Sequence, residues 1–328
     1  MKTRFAGPLG GFMKQHLRLR RSLGYDLRTE EFALDQFDAH VAETFPSVET
    51  VTRSMVVSYL RATTHLQSCT RQSQLSSIRQ FCRFLFQLKP DTYVPESHLL
   101  SPARSRFHPH IYAVDEVNQL MERALRLQPD GSLRPHTYAT LIGLLWVSGL
   151  RVGEAIRLNL EDVDREQAIL YIRQTKNSKS RLVPVSVSTL NALLAYRDMR
   201  AQFGHDTSSK APLFVSQRAR RLVRRTVDGT FRILTRELGL KSVYGREPRV
   251  HDLRHSWATR CLAGLYQGGK DPNALLPVLA TYLGHANIAC TTVYLHPSTE
   301  LLMQAGSRFQ NYLDEAHMQT ARGEDDRF

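Results

Sequence analysis

The chain of 328 residues has no apolar run long enough to span a bilayer, so a helical membrane anchor is not expected. Its opening, "MKTRFAGPLGGFMKQHLRLRRSLGY", lacks a continuous apolar core, so no secretory signal is expected either. Cysteine is scarce. Cys69, Cys82, Cys261 and Cys290 are widely scattered, form no CxxC pair and read as reduced thiols of a cytosolic protein. There is no Gly-rich nucleotide loop and no cluster of carboxylates for a metal pair, so no cofactor and no metal are expected. Internal repeats and low-complexity tracts are also missing.

What the chain does have is positive charge. Its net charge is +13, with 42% hydrophobic and 23% charged residues, a globular composition with a strongly basic balance. The excess is +6 over residues 1–110 and +7 over the rest. Both parts therefore suit one long polyanion, most simply nucleic acid. The length allows two domains of ordinary size.

Periodicity makes the first part helical. "TEEFALDQFDAHVAETF" places Phe32, Leu34, Phe37, Val41 and Phe45 mostly at helical spacing, and "TRSMVVSYLRAT" follows as a second helix. "TRQSQLSSIRQFCRFLFQL" puts Leu75, Ile78, Cys82 and Leu85 on one face and Gln72, Ser76, Arg79 and Arg83 on the other. That polar face suits DNA, since Arg reads guanine or phosphate and Gln and Ser bond to either. It suits water equally well. Residues 88–110, with four prolines, read as a linker.

The second part is mixed. "DEVNQLMERALRL" and "PHTYATLIGLLWVSGL" are helices, the latter with Pro135 suited to its first turn and Gly149 near its end. "AILYIRQT" and "RLVPVS" are strands joined through the polar "KNSKS". Helices are expected over 187–203, 226–238, 255–266 and 273–283, with "LFV" as a short strand between the first two. A short helix from Thr291 to Leu295 and an amphipathic one over 299–313 complete the pattern, and "RGEDDRF" is expected to be mobile.

Four spots in this part carry chemistry. In "SGLRVGEAIRL", Arg151 follows a glycine at a helix end, with Glu154 placed to orient it; such an arginine binds an anion, structural or functional. Lys176 and Lys179 lie at the hairpin tip, where lysines are commonly just solvated. "HDLRHSWATR" sets His251 and His255 around Arg254, four residues apart as in zinc-binding HExxH. But Asp252 stands where that motif has Glu, and no third ligand follows. In "YLGHANIACTTVYLH", Gly284 and His285 end a helix and Tyr294 lies nine residues further on, a place that packing alone also explains.

Taken in order, "SGLRVGE", the hairpin lysine, "HDLRH", "LGHANI" and "TTVYLH" resemble the signature boxes of the tyrosine recombinase (phage integrase) family. The resemblance is strong over about residues 111–310 and thin over the N-terminal part. It implies a mainly α fold with a small β-hairpin or sheet (α+β). A helical core-binding, SAM-like DNA-binding domain would cover 1–89, a linker 90–110, a catalytic domain 111–313 and a mobile tail 314–328. The two domains would form a C-shaped clamp on DNA. The implied roles are Arg151 and Arg254 on the scissile phosphate, Lys176 as hairpin lysine, His251 and His285 as first and second histidines, Tyr294 as nucleophile and Glu154 as support for Arg151. The implied partners are double-stranded DNA at specific sites and three further copies of the chain, in the cytoplasm and associated with the nucleoid. The segment "AGLYQGGKDPNALLPVLATY" is longer than in compact members and looks like that of transposon and integrative-element recombinases. The helix over 299–313 would dock on a neighbouring copy or pack on its own domain.

Three other readings stand beside this one. A type IB topoisomerase shares the nucleophile and the arginines; the separate helical domain argues against it. A catalytically silent DNA-binding regulator would be expected to lack some of the reactive set, and none is missing. A metallohydrolase built on "HDLRH" is the remaining option.

Overall fold

A computed structural model describes residues 4–101, 108–173, 180–267, 272–284 and 291, with side chains omitted for 265–267 and 272–275. The chain divides into two compact units, Met1–Phe107 and His108–Phe328. No helix among the described residues is long and apolar enough to cross a membrane.

The first unit is helical: α1 (Gly10–Ser22), α2 (Arg28–Thr44), α3 (Arg53–Ala62) and α4 (Ser68–Leu88). Its core takes Leu9, Met13 and Leu17 from the start of the chain, Leu34, Phe37 and Val41 from α2, and Leu75, Ile78, Phe81, Cys82 and Leu85 from α4. Helix α1 is an addition to the sequence reading. Its apolar positions are few, and polar residues including Arg18, Arg20 and Arg21 mask the period. The α2 stripe is narrower than expected, because Phe32 is exposed. The proline-rich stretch after α4 packs on this unit, with Tyr93, Val94, Leu99 and Leu100 against its core.

The second unit opens with α5 (Val114–Ala124) and α6 (Arg134–Ser148), followed by the four-residue α7 (Val152–Ala155). Pro135 sits in the first turn of α6, where a missing N–H costs nothing. A three-stranded antiparallel sheet follows: β1 (Val163–Asp164), β2 (Ile169–Ile172) and β3 (Arg181–Pro184), in that order. The register pairs Leu170 with Val183 and Ile172 with Arg181. The two-residue β1 was too short to show in the sequence, whereas "LFV" forms no strand; Val215 makes only an isolated bridge to Arg221. Those three residues are buried, so their apolarity reports core and not sheet. Then come α8 (Val187–Gln202), α9 (Arg224–Glu237), α10 (Asp252–Gln267) and α11 (Pro272–Leu283). Helix α10 begins three residues earlier than expected, which puts Arg254 and His255 in its opening turns. The expected helix at 299–313, the tail, and all but Thr291 of the expected helix at 291–295 lie outside the described residues.

Candidate active site

Four stretches distant in sequence build the site. Helix α6 ends at Gly149, whose φ of +60° is left-handed. A Cβ there would meet the Trp257 ring at 2.5 Å. Backbone and space thus both require glycine. The chain turns at once into α7, and Arg151 stands at its N-cap. Glu154 folds back on it: Oε2 accepts the Arg151 backbone N–H at 3.0 Å and Oε1 accepts the guanidinium at 2.9 Å. The spacing in "RVGE" therefore makes a helix cap and an ion pair together.

Glu154, only 2% exposed, also takes a bidentate pair from Arg181 of β3, at 3.1 Å and 2.9 Å. Arg254 Nη1 lies 4.0 Å from it. Burial pushes the Glu154 carboxyl up, but hydrogen bonds and charge from Arg181, then the Arg151 backbone N–H and guanidinium, bring it down to about 2. It is a carboxylate at any physiological pH.

Asp252 opens α10 and accepts the backbone N–H of Arg249 at 2.9 Å and its guanidinium at 3.1 Å, an acid where the helix N-terminus favours one. His251 precedes it. The His251 and His255 rings share a face, with centroids 5.1 Å apart and planes at 89°. Burial, followed by electrostatic interaction with His255 and the charges of Arg254, Arg249 and Arg151, pushes His251 down to about 3. The ring is neutral at pH 7 and can accept a proton. Arg254 is 1% exposed and donates to Gly149 O at 2.9 Å and Leu283 O at 2.7 Å.

The C-terminal end of α11 closes the cluster. Helix geometry leaves its last carbonyls without partners inside the helix. Arginines supply them: Arg181 Nε donates to Tyr282 O at 2.8 Å, Arg254 to Leu283 O, and Arg151 to Leu283 O at 3.3 Å and Gly284 O at 3.4 Å. Cations at this end also meet the negative pole of the helix.

Of the residues singled out in the sequence, Arg151, Glu154, His251 and Arg254 are gathered here. Lys176, Lys179, His285 and Tyr294 lie outside the described residues. Gln72, Ser76, Arg79 and Arg83 share the outer face of α4, in the first unit. Ser76 and Arg83 are exposed there, but Gln72 donates to Ser101 O at 2.9 Å. Arg79 donates to Pro95 O and Glu96 O, each at 2.8 Å. Sequence reasoning passed over Arg181. Its signal was present: in "RLVP" the two-residue period puts Arg181 on the same face as the fully buried Val183. A charge on a core face needs a partner.

The profile of the phage integrase family matches residues 112–300. The chain is 37% identical over 303 residues to the integrase/recombinase-type protein y4rB of Sinorhizobium fredii, covering 91% of this chain and 96% of that one. Among solved structures, a complex of the XerH site-specific recombinase with its palindromic difH substrate after cleavage is similar with a TM-score of 0.65 and 18% identity, over 91% of this chain and 84% of that one. The Tn1549 transposon integrase bound to transposon right-end DNA is similar with a TM-score of 0.62 and 16% identity, over 90% and 98%. The matched family profile spans more than half of the chain, and the relative is matched over nearly its whole length. The chain belongs to the phage integrase family, the tyrosine-type site-specific recombinases.

Proposed function

We propose that the chain exchanges DNA strands at paired recombination sites through a 3′-phosphotyrosyl intermediate. The observation that carries this reading is the clustering of Arg151, Glu154 and Arg254 beside a neutral His251. The Tyr294 oxygen attacks the scissile phosphorus, and the bond from phosphorus to the 5′-oxygen breaks. Negative charge builds up on the phosphoryl oxygens in the transition state, where Arg151 and Arg254 offset it and His285 donates a hydrogen bond. The phenol, with an ordinary pKa near 10, gives its proton to His251. A phosphate drawn to the arginines counters the positive charges that act on His251, an influence that favours proton acceptance by the ring. Lys176 donates the proton that the departing 5′-oxygen needs. Glu154 orients Arg151.

The phosphotyrosyl bond conserves the energy of the phosphodiester, so a 5′-hydroxyl from a second duplex can attack it and reverse the step on a new partner. Two duplexes present four strands, which calls for four copies of the chain. The long segment 263–282 favours a mobile element as the source of the sites.

The test is the nucleophile. Tyr294→Phe should bind DNA like the parent and form no covalent adduct on a nicked suicide duplex. An adduct surviving in that variant would refute the scheme.

A further inference from the structure

Arg181 begins β3, the strand that leaves the hairpin tip. Pairing with Ile172 and sharing a face with Val183, it points to the core, and its side chain is 12% exposed. A guanidinium in such a place is stable only where its N–H groups are met. Here Nη1 and Nη2 serve both oxygens of Glu154 and Nε serves Tyr282 O. One side chain thus joins β3, α7 and the end of α11. It also lies against Gly284, where φ is +65° and a Cβ would stand 2.8 Å from Nη1. His285 is the next residue, and Lys176 precedes Arg181 by five positions.

We infer that Arg181 is a positioning residue for strand cleavage: it fixes the Glu154 carboxylate beside Arg151, and the Gly284 turn, relative to β3. The inference rests on the recombinase scheme above. Arg181 does not touch the phosphate in it. It gives Arg151, the Gly284 turn and β3 a common anchor, and small displacements at a reacting centre cost large factors in rate. Among the described residues the charged groups facing Glu154 are Arg151 from the turn before α7, Arg181 from β3 and Arg254 from α10. Removing Arg181 takes away the foremost of the influences holding that carboxyl low, so its protonation moves to higher pH.

The experiment compares the full-length chain with Arg181→Ala and Arg181→Lys in single-turnover adduct formation on a nicked suicide duplex across acid to neutral pH. Binding of the same duplex is measured alongside. Lysine keeps the charge but cannot serve a carboxylate and a carbonyl in one fixed fork. Affinity should stay within about threefold while the rate falls roughly a hundredfold in Arg181→Ala and less in Arg181→Lys. Protonation of His251 sets an acid limb in every variant; in Arg181→Ala the added protonation of Glu154 should move that limb to higher pH, and the extra shift should vanish when Glu154→Gln is added. A rate within about threefold of the parent, or a slower rate with an unmoved acid limb, overturns the inference. Should Arg181→Ala fail to fold, Arg181→Lys carries the same comparison. Acid unfolding of the DNA-free chain provides an arm independent of cleavage: its onset should move to higher pH in the Arg181 variants, and an unmoved onset overturns the inference. Tyr294→Phe run in parallel separates the two ideas, because an adduct there indicts the nucleophile and leaves Arg181 to be judged by the DNA-free arm.

Discussion

The two units use their polar side chains differently. In the first, side-chain bonds among the described residues stay within 40 residues of sequence: His16 and Arg20 reach Glu30 across 14 and 10 residues, Gln72 reaches Ser101 across 29 and Lys89 reaches Glu49 across 40. In the second, the bonds that define the site span 27 residues from Glu154 to Arg181, 105 from Gly149 to Arg254 and 132 from Arg151 to Leu283. Short-range bonds tie neighbouring helices and their connections into a frame. Long-range bonds among buried cations do something else. Among the described residues three guanidiniums face one carboxylate, and helix-end carbonyls accept further bonds from them. Carbonyl dipoles satisfy hydrogen bonds but cancel no charge, so these three arginines outnumber the carboxylate they face. In the proposed scheme that positive charge receives the DNA phosphate, whereas the first unit's bonds serve its own frame.

The sharpest way to break that contrast is to ask which lysine of the hairpin belongs to the site. Lys176 and Lys179 compete, and only Lys176 aligns with the family's lysine. An alkoxide leaves poorly, so Lys176→Ala should slow cleavage by roughly two to four orders of magnitude. A thiolate needs no proton to leave, so the rate should recover on DNA carrying sulfur at the 5′-bridging position. Lys179→Ala should lose less and be indifferent to sulfur, since a steering charge helps both substrates alike. Rescue of Lys179→Ala in its place would swap the roles, and rescue of neither would move the proton donor elsewhere, with His251 the next candidate.

Glu154 tests whether one carboxylate holds the cluster together. Its folded value of about 2 lies below the ordinary glutamate value, so the stability it contributes is fully present above that ordinary value and is lost as pH falls toward 2. Glu154→Gln leaves buried guanidiniums without their anion and should cost about 3 kcal/mol in denaturant unfolding at pH 7. The gap between parent and variant should narrow steadily from pH 5 to pH 3. An equal gap at pH 3 and pH 7 would show that the carboxylate charge is not what the arginines need.

Much of this was legible in residues. Periodicity located α2, α3 and α4 because their stripes are buried, and Pro135 and Gly149 bracketed α6 because each answers a specific backbone demand. The boxes around Arg151 and Arg254 were readable because each couples reactive side chains to a local turn. Arg181 was not found, although its burial was implied, because the partner that explains it is 27 residues away and nothing local names it. Helix α1 was hidden by its charges, and the start of α10 by the polar "HDLRH", which looks like a loop until its side chains have long-range partners. The fold was thus visible wherever one element's own period or cap decides it. It was obscure wherever two distant elements decide it together.

The smallest expected effect belongs to the first unit and separates two arginines on one helix face. Arg83 is exposed on α4, whereas the Arg79 guanidinium donates to Pro95 O and Glu96 O. If the face meets DNA, Arg83→Ala should lower the slope of log affinity against log salt by about one, the loss of one phosphate contact. Arg79→Ala should leave that slope nearly unchanged and cost about 1 kcal/mol of stability, because its bonds hold the chain after α4. Salt titrations of binding for both variants, paired with denaturant unfolding, read the two effects separately. Equal slope losses would mean that Arg79 exchanges its carbonyls for phosphate on binding, so that even the self-contained unit reserves a cation for DNA. Unchanged slopes in both would make the face a solvated one and leave the polyanion to the second unit.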